Sequence, residues 1–146
     1  MEILDETSRF PNSDRQLLAA AVSRILARFG VCGRELTIVL IGDEAMRRRN
    51  LEHRGVDLAT DVLSYPLQEP DDSGMPPVPH LGDVFINLDA ALRQAGKSGL
   101  RDEVMVLAAH GVLHLLGYDH HTEDAWKVFK TAQRLVLERE HNDDGR

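Results

Sequence analysis

The amino-acid sequence predicts a single α+β domain, in which a mixed sheet of about four short strands packs with about five helices. Its 146 residues suit one domain, 1–146, and are enough to bury a substantial core. Segments with helical spacing of apolar residues alternate with a few short apolar strands, and two helices end the chain. No internal repeat is present, and residues 139–146 form a polar tail that is expected to fray near its end.

The first part of the chain alternates strand and helix. Residues 2–8 are compatible with a short strand, and cap-forming side chains at residues 12–14 precede an amphipathic helix. Residues 35–41 predict a strand that is apolar on both faces and therefore central in the sheet. Asp43 is placed to cap a second helix, which is expected to end just before Arg54.

Two further strands flank a long loop. Residues 62–65 predict a short strand that Pro66 stops, and residues 84–86 predict another strand. Between them, residues 66–80 contain five prolines together with acidic and small residues, a composition typical of a loop. A short helix is then expected to run to Ala95.

The last two helices are predicted from different signals. The segment 100–116 is apolar almost all round from Val104 onward, so we expect a buried central helix. Thr122 is placed to cap the final helix, whose apolar stripe includes Trp126 and Phe129. A buried helix is an unusual place for histidines unless a partner satisfies them, and a metal ion is such a partner.

Three of the seven histidines lie within residues 110–120, HGVLHLLGYDH. His110 and His114 are four residues apart, which places them on one face of a helix. Gly117 favours a turn after the helix and can bring His120 back toward the first two. Neutral imidazole is a good zinc ligand, and three protein ligands leave a coordination position open, as in catalytic sites. We therefore predict one Zn²⁺, or another divalent metal, bound by these three histidines.

The residue after the first histidine separates this pattern from the metallopeptidases. The spacing H-x-x-x-H-x-x-G-x-x-H is that of the metzincins, in which Glu follows the first His as general base. Gly111 stands there instead, which is expected to leave space beside the metal but supplies no base. A metallopeptidase-like hydrolase is thus an alternative function, and the missing base speaks against it.

The charge distribution is compatible with a local site for nucleic acid. A net charge of −7 argues against broad non-specific binding, but residues 47–49 and Arg54 form a dense positive cluster. Arg54 is expected to contact a phosphate and to stabilise the charge that develops there, with Arg47 as a second substrate-binding residue. The alternatives are a solvated helix face for the cluster and an ion pair with Asp57 or Asp61 for Arg54.

Composition also bears on location and on the mode of nucleic-acid binding. No apolar run reaches the roughly 18 residues that a membrane-spanning helix needs. The acidic N-terminus is unlike a signal peptide, and a single cysteine, Cys32, excludes an internal disulfide, so we expect a cytoplasmic protein. The aromatic content of 5% argues against a platform that stacks bases.

Two further segments accompany the histidine motif. TDVLSYP at residues 60–66 follows Asn50 and Arg54, and LGDV stands at residues 81–84. In this order, the three segments resemble the signature of the YbeY family of bacterial rRNA-maturation endoribonucleases. The family patterns for the two shorter segments are N-x-x-[YH]-R…T-D-V-L-S-F-P and L-G-D-I.

The departures from these patterns are small, with Tyr65 where Phe is usual and His53 where Tyr is usual. The resemblance implies a zinc endoribonuclease for single-stranded RNA, with a metalloprotease-like (zincin-like) arrangement of helices around the metal. It also implies roles in 16S rRNA 3′-end maturation and ribosome quality control. The implied partners are rRNA and ribosomal or small-subunit proteins, without DNA or membrane. A non-enzymatic ribosome-associated protein with a structural metal is the other alternative.

Overall fold

The computed structural model describes residues 1–31, 33–67, 80–118 and 122–144, with side chains through Leu137. The elements in chain order are β1 (Glu2–Asp5), α1 (Asn12–Arg28), β2 (Glu35–Ile41), α2 (Asp43–Arg54), β3 (Val62–Pro66), β4 (His80–Asn87), α3 (Leu88–Gln94), α4 (Gly99–Leu115) and α5 (Glu123–Asp144). Within these ranges, five helices and a four-stranded mixed sheet confirm the predicted α+β class. Cys32, His120 and most of the predicted proline-rich loop lie outside them.

The strand order of the sheet is β1-β2-β4-β3. β1, β2 and β4 are parallel, whereas β3 runs antiparallel to β4 and pairs Leu63 with Phe85 and Ser64 with Val84. β2 is central, as its two apolar faces predict, and β3 lies at an edge of the described sheet. Since side chains alternate along a strand, Leu63 and Ser64 point to opposite faces.

The larger core fills one face of the sheet. Its sheet side chains pack with α1, α4 and α5, and those buried there are Leu36, Ile38, Leu40, Leu81, Val84 and Ile86. α4 lies at the centre of this core, as the apolar character of the segment 100–116 predicts. Although α4 is strongly apolar, no helix in the described ranges combines the length and hydropathy needed to cross a bilayer.

α2 covers the opposite face with a smaller core. Met46 is fully buried there, in a cluster with Val39, Ile41, Leu63 and Phe85. α2 and α4 therefore lie on opposite faces of the sheet, and the edge strand β3 contributes side chains to both.

Several element ends differ from the prediction. β1 stops at Asp5, because the carboxylate of Asp5 accepts backbone hydrogen bonds from the turn that follows. α2 includes Arg54, and Gly55 ends it with a φ of 70°, so Arg54 belongs to the last helical turn. α5 continues to Asp144, so much of the tail 139–146 is helical; its Glu and Arg residues are good helix formers.

A polar network joins the carboxyl ends of β2 and β4. The Asn87 side chain caps α3 by accepting from the backbone N–H groups of Asp89 and Ala90, and its Nδ2 donates to Asp43 at 2.7 Å. Arg93 donates to both carboxylate oxygens of Asp43, at 2.7 and 2.9 Å. The hydrogen bonds from Arg93 and then Asn87 hold the pKa of Asp43 at about 2.

Candidate active site

A pocket of about 280 Å³ opens around the edge strand β3. Its lining residues come from β3, α2 and α4, and they are Arg54, Val62, Leu63, Ser64, Tyr65 and His114. Arg54 ends the helix on one face of the sheet, whereas His114 lies on the helix that packs against the other face. The residues predicted to contact phosphate and metal thus reach one pocket from two sides of a single strand.

His110 and His114 lie one turn apart on α4 and are both partly buried. Their rings both contact Phe129 of α5, with centroid distances of 5.5 and 5.2 Å, and His110 also contacts Trp126. Two imidazoles from one helix face, aligned against the same ring, form a donor pair whose chemistry suits zinc.

The third predicted ligand, His120, lies outside the described residues. In the ranges that the structure describes, no group of three His, Cys, Asp or Glu side chains is arranged to hold a metal ion. The donor pair is therefore compatible with the predicted zinc site, and its completion by His120 stays a prediction.

Gly111 faces the sheet, where β3 and β4 fill the space that a side chain would take, and the expected space beside the metal stays a prediction. A Cβ atom at Gly111 would lie only 2.5 Å from Cγ1 of Val84, and 3.2 and 3.3 Å from Cγ2 of Val62 and Oγ of Ser64. Contacts under 3.0 Å are sterically forbidden, so α4 approaches β3 and β4 this closely only because residue 111 lacks a side chain. The packing of the helix on the sheet thus accounts for the absence of glutamate there.

Arg54 has no carboxylate within ion-pair distance among the described residues. The two acidic residues considered as its partners engage other side chains. Asp57 accepts from Arg47 at 2.5 Å, and Asp61 accepts from Gln94 at 3.2 Å. The exposed Arg54 guanidinium is therefore available to an anion in the pocket.

Arg47 lies in a different environment. Its guanidinium donates to Asp57 and to Glu44. These hydrogen bonds raise the pKa of Arg47 above its ordinary value. It does not belong to the lining of the pocket. The structure does not bring Arg47 together with Arg54 and His114, so its contact with substrate stays a prediction.

Two residues fix the end of α2 and hence the position of Arg54. Gly55 adopts the left-handed conformation, and its N–H donates to the carbonyl oxygen of Leu51 at 3.0 Å. Asn50 is 3% exposed, and its Nδ2 donates to the carbonyl oxygen of Leu58 at 2.9 Å, which ties the following loop to the helix. Sequence reasoning noted Asn50 as part of a motif without assigning it this role.

Sequence reasoning missed a contact between two rings beside Arg54. The centroids of His53 and Tyr65 lie 5.2 Å apart, and Tyr65 also meets Phe85 at 5.5 Å. Burial raises the pKa of Tyr65 above its ordinary value despite the opposing charges of Arg49 and Arg54, so its hydroxyl stays protonated at neutral pH. The signal in the sequence was that His53 and Tyr65 both belong to the motif segments described above, which does not specify a contact between them.

The fold and the pocket define a small α+β protein with imidazole and guanidinium groups at one sheet edge. The sequence model of the family described as Endoribonuclease YbeY matches residues 2–141. This chain belongs to the Endoribonuclease YbeY family, as the three motifs predict.

Curated relatives and a solved structure support the same conclusion. The Endoribonuclease YbeY of Thermus thermophilus is 46% identical over 122 residues, which cover 82% of this chain and 86% of the relative. That of Deinococcus radiodurans is 47% identical over 137 residues, covering 85% and 87%. The solution structure of TM1509 from Thermotoga maritima has a TM-score of 0.65 at 22% identity, over 98% of this chain and 93% of that one, which supports the fold.

Proposed function

We propose that this chain is a metal-dependent endoribonuclease that cleaves single-stranded RNA. The observation that supports the proposal most directly is that Arg54 and His114 line one pocket. The relatives named Endoribonuclease YbeY suggest the substrate class. The pocket, about 280 Å³, is at the lower end of the roughly 300–1,000 Å³ found for ligand sites, a size that suits one nucleotide unit.

His110, His114 and His120 are the residues that would hold the zinc ion. When bound, zinc supplies Lewis acidity toward a phosphoryl oxygen or toward water. Phe129 packs against the rings of His110 and His114 and thereby limits the orientations that the two imidazoles can adopt.

Arg54 binds and orients the phosphate in this proposal. Its guanidinium offers two parallel N–H groups to a phosphate, a geometry that fixes the phosphate more firmly than a point charge does. The same N–H groups stabilise the negative charge that develops on the phosphoryl oxygens during cleavage. Because Arg54 has no ion-pair partner in the described part of the chain, it binds phosphate without first breaking a salt bridge.

The packing at Gly111 argues against the metallopeptidase alternative. A glutamate at this position would drive its side chain into Val84 and Val62, so α4 cannot carry the peptidase base there without moving away from the sheet. Deprotonation would therefore rest on the metal itself, on a substrate oxygen or on a carboxylate from another part of the chain.

We extend the proposal to the cellular role that the family suggests. This role is 16S rRNA 3′-end maturation and ribosome quality control in the cytoplasm, with rRNA and ribosomal or small-subunit proteins as partners. Co-purification of this chain with small ribosomal subunits, together with accumulation of unprocessed 16S rRNA when the chain is depleted, would support it.

The enzymatic proposal is tested with purified protein, a single-stranded RNA and its duplex. We expect cleavage of the single strand only, loss of cleavage on chelation, and recovery with zinc. His114→Ala should lose bound zinc and cleavage together, whereas His80→Ala, at a residue outside the pocket lining, should retain both. Unchanged cleavage by a folded, metal-free His114→Ala protein would contradict the mechanism, and cleavage of an unstructured protein instead of RNA would favour a peptidase.

A further inference from the structure

Four planar side chains form a continuous series on the α2 face of the sheet. The guanidinium carbon Cζ of Arg49 lies 3.8 Å from the ring centroid of Phe85. The Phe85 and Tyr65 rings meet at 5.5 Å with an interplanar angle of 76°, and the Tyr65 and His53 rings meet at 5.2 Å and 55°. We call these four residues the planar series.

Within the planar series, exposure increases from Phe85 through Tyr65 to His53. Phe85 is 7% exposed and belongs to the smaller core. Tyr65 is partly buried and lines the pocket, while His53 is exposed. The series is therefore anchored in the core at Phe85, which fixes its geometry, and ends in an imidazole that solvent can reach. Because His53 does not belong to either core cluster, its imidazole contacts Tyr65 and keeps ring surface that another planar group can stack on.

Charge is concentrated at the same place. Arg54 follows His53 in the last turn of α2 and lines the pocket beside Tyr65. Single-stranded nucleic acids are recognised where cationic groups contact the backbone and planar side chains stack on bases. Arginine beside an accessible histidine–tyrosine pair provides both contacts within the reach of one nucleotide.

We propose that His53 and Tyr65 form a stacking site for one nucleobase of the single-stranded RNA whose phosphate contacts Arg54. The proposal rests on the proposed function and adds a specific base contact to it. The low aromatic content argues against an extended platform, but a single stacking site needs only two rings.

The test measures binding of a single-stranded 2′-O-methyl RNA, which resists cleavage, and of matched RNAs that each carry one abasic position. His53→Ala should weaken binding of the intact RNA by roughly 5- to 150-fold, the range expected for one stacked base. It should have little effect on the RNA that lacks the stacked base. His53→Tyr retains a ring and should bind the intact RNA nearly as tightly as the original chain.

Arg54→Ala is the control for a phosphate contact, and it should weaken the intact and abasic RNAs by the same factor. The stacking proposal is overturned if His53→Ala binds intact RNA normally, or if it weakens every abasic RNA as much as the intact one. Normal zinc content and thermal unfolding of His53→Ala would show that its effect is local. Failure of the unsubstituted chain to bind or cleave RNA would overturn the proposed function and the stacking site together.

Discussion

The hydroxyl of Ser64 donates a hydrogen bond to the carbonyl oxygen of Gly111 at 2.8 Å. This bond joins the edge strand β3 to the helix that carries His110 and His114. It forms at the point where Gly111 lets the two elements approach most closely. The position of the candidate metal ligands relative to the pocket therefore depends on the packing between β3 and α4.

Gly111→Ala is expected to destabilise the fold. The added methyl group would lie 2.5 Å from a methyl group of Val84, which is fully buried and cannot move freely. Overpacking of this kind costs about 1–3 kcal/mol of unfolding free energy, and urea denaturation measures it. Gly96→Ala is the matched control, because nothing lies within 4 Å of a Cβ atom there, and it should leave stability unchanged or slightly raised.

The two predicted substrate contacts should respond differently to substitution. Arg54→Ala is expected to lower kcat/KM for RNA cleavage by about 10²–10³-fold, the usual effect of removing a group that stabilises transition-state charge. Arg54→Lys should recover only part of the loss, since lysine lacks the bidentate geometry. Arg47→Ala should have a much smaller effect, because Asp57 and Glu44 already bind its guanidinium. A loss at Arg47 as large as that at Arg54 would establish it as a direct contact.

Asp43 should make stability fall steeply in acid. Its pKa is about 2 in the folded protein against an ordinary value of 3.8, so the ionised form is stabilised by folding. This contribution is present above about pH 4 and disappears as the pH falls toward 2. Asp43→Asn should therefore show a smaller loss of unfolding free energy over that interval than the original chain.

Glu103 on α4 should make the free energy of unfolding fall as the pH rises, which is the opposite of the pH dependence expected from Asp43. Burial and then the charge of Asp61 raise its pKa above the ordinary 4.5, so folding favours the protonated form. Stability contributed by this group is present below the ordinary pKa and is lost as the pH rises through the raised value. Glu103→Gln should raise the melting temperature at pH 7, and the gain should vanish below about pH 4. A melting temperature that does not change with this substitution at neutral pH would contradict the prediction.

The elements that place the histidines could be predicted from sequence because their signals are local. The nearly uniform apolar character of 100–116 predicts the buried helix α4, and the spacing of His110 and His114 determines their shared face. Thr122 was predicted as a cap, and its hydroxyl accepts from the N–H of Ala125 at 3.1 Å.

The contacts between elements could not be predicted in the same way. That His53 touches Tyr65 depends on α2 packing on the face of β3 that α4 does not cover, and sequence alone does not determine this choice of face. The packing role of Gly111 could not be predicted for the same reason, since the spacing of histidines says nothing about which neighbours surround the glycine. Likewise, the ion pair of Arg47 with Asp57 depends on the path of the loop that carries Asp57.

The location of the pocket around β3 has a consequence for thermal behaviour. Arg54 and His114 belong to different layers, and the short outer strand Val62–Pro66 is the part of the sheet that separates and spaces them. Outer strands detach from a domain at lower free energy than its central elements do. Warming should therefore separate the arginine from the histidine, and stop turnover, at temperatures where the interior of the domain is still intact.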